Sequence, residues 1–413
     1  MKGTSGCVNF ISDDPVEAKK HFNNMKMKKI IDQIKKEEIR NREFLHLTAN
    51  EAQMSKTARQ FLGSKISERY YMGGGENGKV DLGPFTVLGF PSVKKLVREA
   101  EEATKQMLGA KHVNLNCLSG VHAMMCAILS TTDPGDVVMS VHHDHGGHFA
   151  TKGIIERIGR GHVFAEYDFD SLSFDVEKIK QIFKESGAKA FYMDVSYYLN
   201  AHNLKEIRNA LGKEAIIIYD ASHTMGLIMG QQFQDPFTDG ADVICANTHK
   251  TLPGPQKGMI AFKDKKIGKK ANKIINSSLF SSTHLHHLIS LSIAILEMKN
   301  FGEDYAKQVI SNSRALGDEL NNLGYELRMA NTGSYSDNHQ VHLLTEKIGF
   351  YKDLYDLLFD NKLAVNFDNL FDKGIFIRLG TQEITRRGMK EEEMKKIVYF
   401  IDQSFKGKDI AKE

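Results

Sequence analysis

Val243-Ile244-Cys245-Ala246-Asn247-Thr248-His249-Lys250-Thr251-Leu252-Pro253-Gly254-Pro255-Gln256-Lys257-Gly258-Met259-Ile260 decides the reading of this chain. An apolar, strand-like run ends in Thr-His-Lys, turns through small residues and resumes as a second apolar run. A lysine presented at a strand end, with Gly and Pro keeping bulk away, is a candidate for attachment to a carbonyl. Such a lysine attacks as the neutral amine, and partial burial lowers its pKa toward that form. A solvated surface lysine is the alternative, so the neighbours decide.

Outward from this stretch, between about 92 and 260, helical periodicity alternates with short apolar runs. The pattern predicts helices over 92–108, 120–131, 146–157, 175–187 and 203–212. It predicts strands at His112–Leu115, Val137–Ser140, His162–Glu166, Ala190–Asp194, Ala215–Tyr219, Val243–Ala246 and Gly258–Phe262. Such βα alternation implies a doubly wound, mainly parallel seven-stranded sheet, buried on both faces. Residues 15–43 carry apolar residues at helical spacing and read as an arm that packs on the body or on a second subunit. Residues 73–84 form a glycine-rich loop. Long helices over 283–326 lead to a smaller α+β region with strands Tyr325–Met329, His339–Leu344 and Gly374–Leu379 and helices over 350–361 and 389–404. The expected division is a helical arm (1–50), a large α/β domain (51–290) and a small C-terminal α+β domain (291–413).

A chain of 413 residues exceeds one ordinary core, which agrees with that division. A net charge of +3, from 55 basic and 52 acidic residues, advertises neither nucleic acid nor membrane surface. The basic run Lys263–Lys273 therefore reads as a solvated face. The four cysteines (Cys7, Cys117, Cys126, Cys245) show no CxxC and no disulfide-framework spacing, and Cys117, Cys126 and Cys245 read as buried reduced thiols. No run approaches the ~20 apolar residues of a membrane span. These features point to a cytoplasmic protein.

Four further motifs carry chemistry. Ser119-Gly120-Val121-His122-Ala123 follows a strand and opens a helix, which makes it an anion site or an ordinary Ser cap. Asp220 ends the strand Ala215–Tyr219, with His223 three residues on; there a carboxylate can hold a pyridinium nitrogen protonated, or simply cap a helix. In His142-His143-Asp144-His145-Gly146-Gly147-His148, the options are a metal site, a ring stacked on a planar cofactor, and plain surface histidine. No metal is expected, because neither HExxH nor paired cysteines are present. Arg378 ends Ile375-Phe376-Ile377 and is suited to gripping an α-carboxylate, or to a structural salt bridge. Together, phosphate site, ring carboxylate, stacking histidine, lysine and arginine describe an amino-acid enzyme that uses pyridoxal 5′-phosphate (PLP).

On these motifs the chain resembles the serine hydroxymethyltransferase family, of the aspartate aminotransferase fold (PLP fold type I). The likeness runs from Phe44 to the C-terminus. It is carried by Thr248-His249-Lys250-Thr251-Leu252 with Gly254-Pro255, by His145-Gly146-Gly147-His148, by Tyr219-Asp220-Ala221-Ser222-His223, and by Arg378-Leu379-Gly380-Thr381 with Ile384-Thr385-Arg386-Arg387-Gly388. The resemblance implies that Lys250 holds the cofactor as a Schiff base, Asp220 pairs with its ring nitrogen and His145 stacks on the ring. His223 contacts its oxygen, and Thr248, His249 and Ser196 lie beside it. Ser119, Gly120 and Val121 take the phosphate, with Ser282 and Thr283 reaching it as well. Arg378, Asn50 and Tyr70 meet the substrate, Tyr70 also serving catalysis. The resemblance further implies a homodimer with shared sites and small-molecule amino-acid and aldehyde substrates.

The departures bear on the reaction. The family's Ser-Glu-Asn is Asn50-Glu51-Ala52 here, and its Tyr-Ala-Glu-Gly is Tyr70-Tyr71-Met72-Gly73, so a thioether occupies the place of the catalytic glutamate. Thr86-Val87-Leu88-Gly89-Phe90 replaces Arg-Tyr-Tyr-Gly-Gly. Ser281–His287 replaces a glycine-rich segment. The reading is a folate-independent enzyme resembling the threonine transaldolases. The alternatives are a true serine hydroxymethyltransferase with Glu76 as its acid, a decarboxylating or deaminating relative, and a non-catalytic binding protein.

Overall fold

Seven strands form the main sheet: β1 (His112–Asn114), β2 (Val137–Val141), β3 (Gly161–Ala165), β4 (Ala190–Met193), β5 (Ile216–Asp220), β6 (Val243–Asn247) and β7 (Gly258–Phe262), in the order β1-β7-β6-β5-β4-β2-β3. The computed structural model describes residues 26–75, 77–81, 83–84, 86–370 and 374–411. Strands β6 and β7 are buried at every position, as their unbroken apolar runs require of strands covered on both faces. Every pairing from β3 across to β6 is parallel. β7 alone runs against its neighbours, pairing antiparallel with β6 and β1. The reason is local: residues 248–257 are too few for a crossover helix, which takes about a dozen residues or more, so the chain doubles back. That hairpin carries Lys250.

The helices include α1 (Lys26–Arg42), α2 (Pro91–Leu108), α3 (Gly120–Thr131), α4 (Thr151–Arg157), α5 (Val176–Ser186), α6 (Leu204–Leu211), α7 (Leu285–Asn322), α8 (Tyr351–Asp360) and α9 (Glu391–Phe405). Helix α3 starts where expected because Ser119 Oγ accepts from His122 N at 3.1 Å, satisfying one free amide of the first turn. A second sheet, β8 (Gln340–Leu344), β9 (Asn366–Leu370) and β10 (Gly374–Gly380), is antiparallel in the order β8-β10-β9. Helix α7 joins the two regions. Its Leu288 and Leu291 pack in the core of the large sheet, while Leu316 and Leu320 pack with Val341, Ile377 and Ile397. It therefore runs straight through the 290/291 boundary expected from the sequence. Leu45–His46 pairs parallel with Leu363–Ala364, tying the early chain to the late one.

Two local expectations change. The helix expected over 146–157 begins only at Thr151. Gly146 has φ +87°, and a Cβ on Gly147 would lie 2.2 Å from the Val141 carbonyl oxygen, so the Gly-Gly pair makes a turn tucked against β2. The strand expected over Tyr325–Met329 is reduced to one bridge between Leu327 and Leu343. Strand β9 is additional to the strands expected: Asn366, Asp368 and Asn369 are poor strand formers, and pairing with β10 overrides them. On α1, Met27, Ile30, Ile34 and Ile39 are exposed, so this helix does not bury its apolar face on the body. Residues 1–25 of the arm lie outside the described residues. Among the described residues, no helix is long and apolar enough to cross a membrane.

Candidate active site

The carboxyl ends of the parallel strands open into one cavity of about 230 Å³. Helix α3 contributes Ser119, Gly120 and Val121; β5 and the turn after it contribute Asp220, Ser222 and His223; β6 and its turn contribute Asn247, His249 and Lys250. This is where open α/β sheets bind ligands, because loops and helix N-termini converge at those ends.

Lys250 Nζ lies 2.9 Å from His223 Nε2. Burial lowers the lysine pKa to about 8; Arg378 pushes the same way and Asp220 pulls back. His223 is held well below the usual imidazole range by burial first and by Lys250 second. Thr251, next to Lys250, donates its hydroxyl to His223 O at 2.7 Å, which fixes lysine and histidine relative to one another. Behind His223, the ring of His339 stacks at 6.1 Å, and its Nε2 donates to Ala49 O at 3.0 Å.

Asp220 is held from two sides. The Tyr192 hydroxyl donates to Oδ2, and Ser222 N donates to Oδ1 at 2.9 Å. Ser222 Oγ in turn accepts from Asn247 N at 3.0 Å, so the ends of β5 and β6 are cross-tied at the cavity floor. A second carboxylate, Asp194, accepts from Val141 N and His148 N at 3.1 Å each and from the Thr151 hydroxyl at 2.6 Å. Burial raises its pKa to about 7.

The structure does not place His145 in this cavity. His145 Nδ1 donates to Tyr167 O at 3.0 Å, and the ring faces a separate hollow with Glu166 and Lys178. The Gly146–Gly147 turn carries the chain round, so His148 lines the cavity instead, with its pKa lowered by burial. Thr248 is buried in the hairpin, donating to Pro255 O at 2.6 Å. Ser282, Thr283, Asn50 and Tyr70 do not line the cavity either, and Tyr70 is 65% exposed. Ser196 does line it; its carbonyl accepts from Arg378 Nη1 at 3.3 Å and from Gln340 Nε2 at 3.1 Å.

Arg378, on β10, is buried behind Ser196 with its guanidinium 4.8 Å from the Tyr197 ring centre. Its Nε sits 2.9 Å from Asp368 Oδ2 on β9, a close ion pair not aligned as a hydrogen bond. Sequence reasoning missed His148, Asp194, Tyr192 and Asp368. The second histidine of the His-Gly-Gly-His motif was a legible alternative to the first. Asp368 gave no signal, because its partner comes from a strand pairing.

The residues present fit PLP. A helix N-terminus suits the phosphate, a carboxylate faces the place of a ring nitrogen, and a lysine of lowered pKa suits the aldehyde. Three buried atoms at the cavity (His223 Nδ1, Asn247 Oδ1 and His249 Nδ1) lack any hydrogen-bond partner, as expected where a polar ligand completes the site.

Comparison with known proteins agrees. The family model described as serine hydroxymethyltransferase matches residues 24–401. A serine hydroxymethyltransferase of Methanosphaera stadtmanae is 34% identical over 381 residues, covering 89% of this chain and 88% of that protein. A fluorothreonine transaldolase of Streptantibioticus cattleyicolor is 33% identical over 366 residues, 87% of this chain but 57% of that protein. Among solved structures, an L-threonine transaldolase from Pseudomonas fluorescens superimposes with a TM-score of 0.84 at 29% identity, covering 96% of this chain and 91% of that one. The chain therefore belongs to the serine hydroxymethyltransferase family and is a PLP-dependent enzyme of fold type I.

Proposed function

We propose that this enzyme is a folate-independent L-threonine transaldolase or aldolase-type transferase, which cleaves the Cα–Cβ bond of a β-hydroxy amino acid and passes the glycyl unit to another aldehyde. The observation that carries this reading is Met72, at the position the family gives to its proton-handling glutamate. A thioether neither gives nor takes a proton in that role. Of the carboxylates lining the cavity, Asp194 already accepts three hydrogen bonds and Asp220 two, which supports structural roles for both. The names of the Streptantibioticus and Pseudomonas relatives support the same reaction.

Bound in the cavity, PLP supplies an electron sink for the charge left on the substrate Cα when a bond to it breaks. Lys250 would hold the cofactor through its side-chain amine. Asp220 pairs with the ring nitrogen, and Tyr192 and Ser222 fix its orientation. Ser119, Gly120 and Val121 seat the phosphate. Arg378 takes the α-carboxylate, exchanging part of its contact with Asp368. His148, neutral because burial lowers its pKa, accepts the β-hydroxyl proton as acetaldehyde leaves L-threonine. The same imidazole returns that proton to the oxygen of the aldehyde that the glycyl carbon attacks.

The test uses PLP-loaded protein with L-threonine and a panel of aldehydes, following acetaldehyde with a coupled reductase, beside L-serine with tetrahydrofolate. Acetaldehyde release that depends on added aldehyde, with no folate-dependent turnover, is the expected result. Folate-dependent serine cleavage would instead establish a serine hydroxymethyltransferase. The 34% identity to a relative of that name favours this second reading. It requires another acid in place of Met72. Glu76, in the glycine-rich loop of the sequence, lies outside the described residues, and Glu76→Gln would then abolish folate-dependent turnover. We further propose a homodimer with shared sites, supported by the bare apolar face of α1 and the exposure of Tyr70; sedimentation would read a single subunit mass if this is wrong.

A further inference from the structure

Lys257 takes no part in the chemistry above, yet it is 1% exposed and among the largest fully buried side chains. It ends the hairpin that begins at Lys250. Its ammonium donates to Cys117 O at 3.2 Å and to Thr283 O at 3.0 Å, both neutral carbonyls. A buried cation held only by carbonyl dipoles is costly, so its position calls for a reason.

Its surroundings supply one. Cys117 stands two residues before Ser119, at the entry to α3. The adjoining Gly258 donates its N–H to Cys117 O at 3.0 Å, and a Cβ there would fall 2.2 Å from Ser119 O. Residues 257 and 258 are thus pressed against the back of the turn whose front forms the cavity wall. On that front, charge is scarce. Asp194 and Asp220 are acidic. Burial pushes His148 and His223 down, and His249 to about 4. Among the described residues, Lys250 is the only lysine or arginine lining the cavity, and its amine would be occupied by the cofactor aldehyde. Val121 offers no hydroxyl. A phosphate seated there has the α3 N-terminus and, lining the cavity, no free cation.

We propose that the buried Lys257 ammonium is the counter-charge of the cofactor phosphate, acting from behind the Cys117–Ser119 turn while its hydrogen bonds hold that turn to the segment before α7. Burial lowers the Lys257 pKa to about 8, so the charge is retained at neutral pH. The proposal rests on the phosphate being seated at Ser119–Val121.

Lys257→Gln separates charge from tether, since the amide keeps a donor for one carbonyl and loses the charge. Equilibrium binding to the cofactor-free protein would be measured for PLP, for pyridoxal, which lacks the phosphate, and for inorganic phosphate alone. Affinity for PLP and phosphate should fall about tenfold or more, the scale of one weakly screened charge several ångströms away, with pyridoxal affinity unchanged. Equal losses for PLP and pyridoxal, or no loss for either, would overturn the proposal and leave Lys257 a tether. Lys257→Met gives the same comparison should the glutamine variant not fold. Ser119→Ala tests the seat separately. An unchanged ratio of PLP to pyridoxal affinity there would remove the seat and with it the role of Lys257. A lowered ratio there with an unaffected Lys257→Gln would remove the Lys257 role alone.

Discussion

The floor and the rim of the active-site cavity are built in opposite ways. The floor hangs from strand ends: Asp220, Asn247 and Lys250 follow β5 and β6 and are cross-tied through Ser222 and Thr251. The rim comes from segments outside the large sheet. Arg378 arrives from the second sheet, donating to the carbonyl of Ser196 in the cavity wall and already paired with Asp368. A floor fixed by a sheet suits chemistry that tolerates little displacement. A rim on independent segments can change substrate without disturbing that floor.

The comparison breaks most sharply at Lys250. Lys250→Ala should lower turnover by about a thousandfold or more, because among the described residues no other lysine lines the cavity; retained covalent PLP after borohydride reduction would show that another lysine serves. Asp220→Asn should leave PLP attached and cut kcat by about a hundredfold. An unchanged kcat would mean that the ring nitrogen is held elsewhere. The pKa of Lys250, lowered to about 8, sets a pH dependence. The neutral amine is the reactive form, so the rate of PLP attachment should rise about tenfold from pH 7 and level off above pH 9. A rate still climbing at pH 10 would place that pKa at its ordinary value. His148→Ala should weaken PLP binding about tenfold through lost ring contact, with His145→Ala neutral; the reverse pattern would put the other histidine on the cofactor. At the rim, Asp368→Asn should lower KM for the amino acid about fivefold with kcat held, since Arg378 loses a competing partner. A raised KM would make Asp368 a support for Arg378 rather than a competitor.

The floor was legible because its residues follow one another along the chain. A strand run, then Asp220 or Lys250, is a local pattern, and all seven strands of the large sheet emerged from the same alternation. The choice between His145 and His148 turned on the φ of Gly146, which the sequence does not display. Lys257 read as one more hairpin residue, because nothing local says that its side chain is buried beneath α3. Asp368 and Arg378 meet through the β9–β10 pairing, and β9 itself lacks the residues that announce a strand. Pairings between segments that are weak strand formers are the part of such a site that a sequence hides.

Arg378 already has a counter-ion in place. In the role proposed for Arg378, an arriving amino acid displaces one carboxylate by another, and only the difference between two similar bonds remains to hold it. Affinity for the first substrate is capped by this exchange, however well the new contact is formed.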